Sequence, residues 1–285
     1  MTRPIVFCTD YGLDDEFVGV CHGVIARIAP GARVIDLAHG IPPQDVLRGA
    51  MVLAGAAPFM PEDAVYLGVV DPDVGGPRGA IGVRAASGAL LVGPDNGLLS
   101  LAWEALGGAE AAVEIAASDV LLEPVSATFH GRDVFAPAAG HLANGRALGD
   151  LGPEVEVGDL ERVVVPAPVV SDGEVAAVVL AVDRFGNLQT NARPDDLAEA
   201  GLGSLGSLRV THAEGHGVVR PATTFADGLP GEVLLIEDSS GYLSLVANRA
   251  DASITLGLHA GDDLTISLPP GPPVGRPSMG PRPVR

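Results

Sequence analysis

The stretch IVFCTDYGLDDEFVGVCHGVIARI, residues 5–28, decides how the first half of the chain folds. It opens with IVFCT, an apolar run too short for a helix, which reads as a strand buried on both faces. The polar loop TDYGLDDEF follows. Residues 17–28 then repeat apolar side chains at helical spacing until Pro30 and Gly31 stop them. The same order returns at once. Residues 34–37 (VIDL) predict a second strand with the polar exit AHGIPPQD, residues 45–57 a helix, and residues 64–70 (AVYLGVV) a third strand. Strand, polar loop and helix in repetition imply an α/β fold, a mainly parallel Rossmann-like sandwich with ligand-binding loops at the carboxyl ends of its strands.

Working outward, residues 81–84 and 89–92 read as a strand pair, GPDNG as a turn and residues 98–106 as a helix. FHGRDVFAPAAGHLANG places a polar loop before another short helix. From residue 175 the helical period largely disappears: residues 175–182, 208–211, 217–219, 232–237, 242–247 and 264–268 are short β runs between glycine, proline and acidic turns. The expected organisation is an α/β domain over residues 1–160, a linker over 161–168, a mainly β domain over 169–268 and a disordered proline- and glycine-rich tail over 269–285.

Composition narrows the classes of partner. Hydrophobic residues make up 47% of the 285 and aromatics only 4%, so the core is mostly Val, Leu, Ile and Ala, which suits a helix-covered sheet. The formal charge of −19 repels phosphate backbones and anionic lipid, and no basic cluster offsets it. Neither nucleic acid nor a membrane is expected as a partner. Cys8 and Cys21 cannot make a disulfide framework and read as reduced core residues. With no signal-like segment before the first strand, the expected location is cytoplasmic.

Several polar positions are candidates for chemistry. Asp10 follows a strand, where its carboxylate can accept from vicinal hydroxyls such as a ribose diol; Asp14 and Asp15 read as an N-terminal helix cap. In VVDPDVGGPR, Gly75 and Gly76 let the backbone close tightly while Asp71 and Arg78 can form an oriented charged pair; Asp71 and Pro72 can equally just begin a turn. His130, followed by Gly131, Arg132 and Asp133, is the histidine placed for proton transfer near neutrality, its ring held against a neighbouring carboxylate. His22, His39, His141, His212, His216 and His259 read as caps, core or surface groups, and no spacing suggests a metal. In DRFGNLQTN, Asp183 can bind an ammonium, Phe185 can stack on a base and Asn187 offers an amide, although a hairpin turn on Gly186 and Asn187 explains the same letters. EDSSGYLSLVANRA adds Ser239, Ser240 and Asn248. No phosphate loop, GxGxxG or GxSxG is present.

Together TDYGLDDEFVG, VVDPDVGGPR, PDNGLL, FHGRDVFAP, DRFGNLQTN and the late NRA resemble the S-adenosyl-L-methionine (SAM) hydroxide adenosyltransferases, relatives of the fluorinating and chlorinating enzymes, over about residues 3–260. The resemblance implies a barrel-like C-terminal domain and a homotrimer with the substrate between one subunit's first domain and its neighbour's second. It implies SN2 attack of water at C5′ of SAM, giving adenosine and L-methionine, with no metal and no cofactor beyond SAM itself. By motif, Asp71, Arg78 and His130 carry the catalytic roles. Asp10 falls on the ribose, Asp183, Asn187, Ser239 and Ser240 on the methionine end, and Phe185 and Asn248 beside adenine. A non-catalytic SAM- or adenosine-binding protein and a halide-dependent adenosyltransferase are the alternatives. One departure stands out: the family usually reads DPGVG, and here Asp73 replaces that glycine; if the position requires a positive φ, Asp tolerates it better than most side chains but less well than glycine.

Overall fold

The computed structural model describes residues 2–203 and 206–269, so the expected tail lies, but for its first residue, outside the described residues. The chain divides into two compact units, Met1–Val165 and Pro166–Arg285.

In the first unit, β1 (Ile5–Thr9), β2 (Val34–Ala38), β3 (Val65–Val69), β4 (Ala80–Ala85), β5 (Leu90–Pro94), β6 (Ala109–Glu114) and β7 (Glu154–Val155) form one sheet in the order β2-β1-β3-β5-β4-β6-β7. The β2-β1-β3-β5 portion is parallel. The β4, β6 and β7 extension is antiparallel, because the short link over residues 86–89 allows only a hairpin between β4 and β5. The sheet is therefore mixed, and its parallel half carries the candidate loops.

Alternation along the strands explains the two covering layers. Ile5 and Phe7 join a core with Val65 and Leu67 beneath α1 (Phe17–Ile28) and α4 (Ala136–Ala143). Val6, Cys8 and Tyr66 face the opposite core with residues of α2 (Val46–Ala56) and α3 (Ser100–Ala105). Asp45 caps α2, its carboxylate accepting from Arg48 N–H at 2.9 Å. The expected cap of α1 by Asp14 and Asp15 does not form. Glu16 holds the N-cap position with φ −73° and ψ −7° and makes no side-chain cap bond, since helical backbone angles turn its side chain away from the free N–H groups.

In the second unit, β8 (Val169–Ser171), β9 (Glu174–Val182), β10 (Leu188–Thr190), β11 (Leu208–His212), β12 (Gly215–Pro221), β13 (Val233–Glu237), β14 (Leu243–Ala247) and β15 (Asp263–Ser267) form a closed barrel in the order β10-β14-β13-β12-β11-β15-β9-β8, with β9 also paired to β10. Closure comes from β9, which is long enough to pair with β15 along one edge and with β8 and then β10 along the other. Its alternating burial fills the barrel with Val175, Ala177 and Val179. Two short helices, α5 (Pro194–Glu199) and α6 (Ala252–Leu256), escaped the periodicity reading because neither completes two turns.

Candidate active site

Because β1, β2 and β3 are parallel neighbours, the residues that follow them gather at one edge of the sheet. Asp10 leaves β1, His39 leaves β2 and Asp71 leaves β3. Asp71 meets Arg78 in a two-pronged pair: Arg78 Nε donates to Asp71 Oδ1 at 2.9 Å, and Arg78 Nη2 donates to Asp71 Oδ2. Their side chains are only 6% and 8% exposed, so this is a desolvated pair rather than a surface contact. The guanidinium also lies 5.2 Å from the centre of the Phe135 ring.

Arg78 Nη2 reaches His130 Nδ1 at 2.8 Å. The sequence expectation that a neighbouring carboxylate would hold the ring is thus replaced by an arginine. Asp133 is occupied elsewhere, accepting from Arg132 at 2.6 and 2.8 Å and from Ser126 N–H at 2.9 Å. Burial, and then the positive charge of Arg78, holds the His130 pKa below its ordinary 6.5, while Asp71 and Asp133 oppose this in part. His130 precedes one π-helical turn, Gly131–Phe135, that runs into α4.

Two glycines let these loops close. Gly75 has φ 78°, and a Cβ there would overlap the Ala127 carbonyl oxygen, so the 71–78 loop rests on the segment leading to His130. A Cβ on Gly131 would overlap the Tyr11 hydroxyl. Asp73 is not among the described residues with positive φ; the position that demands glycine is Gly75, and Asp73 is accommodated without backbone strain.

Asp10 Oδ2 accepts from Gln44 N–H at 2.9 Å, which orients the carboxylate and leaves Oδ1 for other donors. Beside it stands an aromatic group that sequence reading missed. The rings of Tyr11, Phe17 and Phe129 lie 5.2–5.9 Å apart, centre to centre. Tyr11 and Phe17 are six residues apart, but Phe129 is distant in sequence and only the fold brings it to them. Burial drives the Tyr11 hydroxyl well above the usual phenol range and pushes the Cys8 and Cys21 thiols up to about 12, so all three are neutral.

The second unit carries the other candidates. The 183–187 turn joins β9 to β10, as the hairpin reading anticipated, with Gly186 at φ 80°. Asp183 organises it: Oδ1 accepts from Phe185 N–H and Asn187 N–H at 2.8 and 2.9 Å, and Oδ2 from Asn187 Nδ2 at 2.8 Å. Phe185 stands 75% exposed on this rigid turn. Ser239 and Ser240 belong to a different turn, whose organiser, Asp238, was not singled out from sequence. Asp238 accepts from Ser240 and Tyr242 N–H and from Ser244 Oγ, and reaches β10 through Gln189 Nε2 at 2.7 Å. Asn248 is tied to neither turn; its Nδ2 donates to Gly228 O at 2.7 Å.

Residues 5–152 match the SAM hydroxide adenosyltransferase N-terminal domain and residues 177–265 the C-terminal domain. The chain belongs to this family. It is 50% identical over 275 residues to an (R)-S-adenosyl-L-methionine hydrolase of Salinispora arenicola, covering 93% of this chain and 98% of that protein. A Thermus thermophilus protein of the same name is 41% identical over 273 residues, with 91% and 97% covered. A fluorinase of an Actinoplanes species is 32% identical over 295 residues, with 93% and 98% covered. Among solved structures, an uncharacterized conserved protein from Thermotoga maritima superposes with TM-score 0.85 at 36% identity, covering 92% of this chain and 99% of that one. The family's two domains coincide with an α/β unit and a barrel, each contributing candidate loops.

Proposed function

We propose that the chain is a SAM hydrolase that converts SAM and water to adenosine and L-methionine, with Asp71, Arg78 and His130 at the reacting centre. The observation that carries this reading is the desolvated Asp71–Arg78 pair, with Asp71 just beyond the carboxyl end of β3 and Arg78 hydrogen-bonded to the partly buried His130, in a member of this family. Water oxygen attacks C5′ from the side opposite sulfur; the C5′–S bond breaks and its electron pair remains on methionine as a thioether. A sulfonium is already a good leaving group, so the protein needs mainly to align and desolvate the water and to remove one proton. Attack by neutral water leaves a strongly acidic oxonium, for which even an arginine-paired carboxylate is a sufficient base. Asp71 retains lone pairs for that proton, and Arg78 holds the carboxylate in place. His130, neutral, presents its Nε2–H to the nucleophile's surroundings. No metal or added cofactor enters these steps.

Asp10 takes the ribose hydroxyls through its free Oδ1. Asp183, Asn187, Ser239 and Ser240 take the methionine end, and Phe185 and Asn248 flank adenine. The resemblance to the family is the basis for reading the assembly as a homotrimer in which a neighbour's barrel completes each site; the division of these groups between two units and the exposure of Phe185 agree with that reading. No described helix is long and apolar enough to cross a membrane, which agrees with the cytoplasmic location read from the sequence.

The experiment is incubation of purified protein with SAM in oxygen-18 water, with and without chloride, followed by mass spectrometry of the nucleoside. Labelled adenosine with equimolar methionine is expected. Tight binding without turnover would point instead to a SAM- or adenosine-binding protein, and a 5′-halo-5′-deoxyadenosine to a halide adenosyltransferase.

A further inference from the structure

We propose that His22, Asp36 and His39 form a binding site for one divalent transition-metal ion of the zinc class, sharing no residue with the reacting centre. His22 lies on α1, Asp36 on β2 and His39 just beyond β2. Their ligand atoms converge: His22 Nε2 and His39 Nε2 stand 2.8 and 3.0 Å from the same Asp36 Oδ1, and all three lie within 4.8 Å of one another. Tetrahedral zinc holds imidazole nitrogen and carboxylate oxygen at about 2.0–2.2 Å, which places neighbouring ligand atoms about 3.3 Å apart. The two histidine–aspartate spacings fall a few tenths of an ångström short of this, and the two imidazole nitrogens, within 4.8 Å of each other, close on the ion by side-chain rotation.

The surroundings are those of a built site. Phe7 is fully buried, pairs in register with Asp36, and forms an apolar floor on which both imidazoles rest, at 5.9 Å to His22 and 4.8 Å to His39, centre to centre. His39 is only 3% exposed, and its Nδ1 lies 2.9 Å from Thr9 Oγ1. This is the outer hydrogen bond that orients a metal-bound histidine. With a metal bound, Nδ1–H would donate to Thr9 Oγ1 and Nε2 would turn its lone pair to the ion. His22 and Asp36 are 34% and 47% exposed, which leaves an entry path and a fourth position for water. Two imidazoles and one carboxylate suit zinc, cobalt or nickel and not magnesium or calcium, which require oxygen ligands.

The site has a route to function. His39 O accepts from Gly12 N–H at 2.7 Å, and Gln44, in the same segment, donates to Asp10. A bound ion would therefore stiffen the segment that supports the Asp10 loop without touching the reaction.

The test is isothermal titration of chelator-treated, full-length protein with zinc chloride, alongside visible absorption of the cobalt(II) form. A single ion per chain is expected, with affinity reduced at least about tenfold in His22→Ala and in Asp36→Asn, and with the cobalt bands lost in both. His22 and Asp36 are chosen because they are partly exposed, so either variant keeps the fold; circular dichroism checks this. Absence of zinc binding by the unsubstituted protein, or equal binding by all three proteins, would overturn the proposal. Both readouts are independent of SAM turnover, so they stand or fall apart from the hydrolase reading.

Discussion

Arg78 Nη2 lies 2.8 Å from His130 Nδ1, and that single hydrogen bond sets the tautomer of the imidazole. A guanidinium can only donate, so Nδ1 carries the lone pair and Nε2 the proton. Protonating His130 would set an N–H against an N–H and break the relay.

The pH dependence follows. The His130 pKa in the folded chain lies below 6.5, mainly through burial. The rate should be level above the ordinary histidine range and fall as pH drops through the lowered pKa. Stability follows the same direction: between the folded and unfolded values the unfolded chain binds more protons, so stability present above 6.5 is lost as pH falls through that window. A kcat/KM profile measures the first effect. His130→Ala should slow turnover and remove this limb, and an unchanged rate and profile would exclude His130 from the mechanism.

Asp71→Asn should retain SAM binding and lose at least about tenfold in turnover, equivalent to about 1.4 kcal/mol of transition-state stabilisation. Asp71→Ala should also destabilise the fold by about 3–5 kcal/mol, because it leaves the buried Arg78 charge without its partner. Single-turnover kinetics and denaturant unfolding separate the two effects. Unchanged turnover in the Asn variant would remove Asp71 from the reaction.

Gly131→Ala should destabilise the protein by about 1–3 kcal/mol and depress activity, since the new methyl group collides with the Tyr11 hydroxyl. Tyr11→Phe removes the colliding oxygen and leaves the ring Cζ at 3.1 Å from the added Cβ. The double variant should therefore recover part of the lost stability. A double-mutant cycle in urea measures the coupling, and additive effects would show that the two residues do not meet.

Phe185→Ala should raise KM for SAM several-fold while leaving stability within about 0.5 kcal/mol, because the ring is exposed and the turn is held by Asp183. Steady-state kinetics with a thermal melt checks this. An unchanged KM would remove Phe185 from the adenine site.

Local pattern made the first strands, α1, α2 and the β character of the second half readable, because burial imposes its period directly on neighbouring residues. It also exposed Asp71, Arg78, His130 and the Asp183 turn, whose letters cluster within short loops. What escaped were features that depend on distant parts of the chain. The pairing of β6 and β7 onto the β4–β5 hairpin and the closure of the barrel arise from pairings that no local period encodes. Asp238 carries no local mark in the sequence; Gln189 reaches it from another strand.

The sequence by itself therefore determined the first strands, the longer helices, the β character of the second half and many of the polar groups that stand at their ends. Only the tertiary structure decided which of those groups meet. Arg78 rather than Asp133 holds His130, Tyr11 sets the need for Gly131, and His22 shares a carboxylate oxygen with His39. The physical reason is that secondary structure answers to burial and backbone hydrogen bonding within a few residues. A site's electrostatics instead depends on distances of about 3 Å between groups brought together only when sheets pair and helices pack over them.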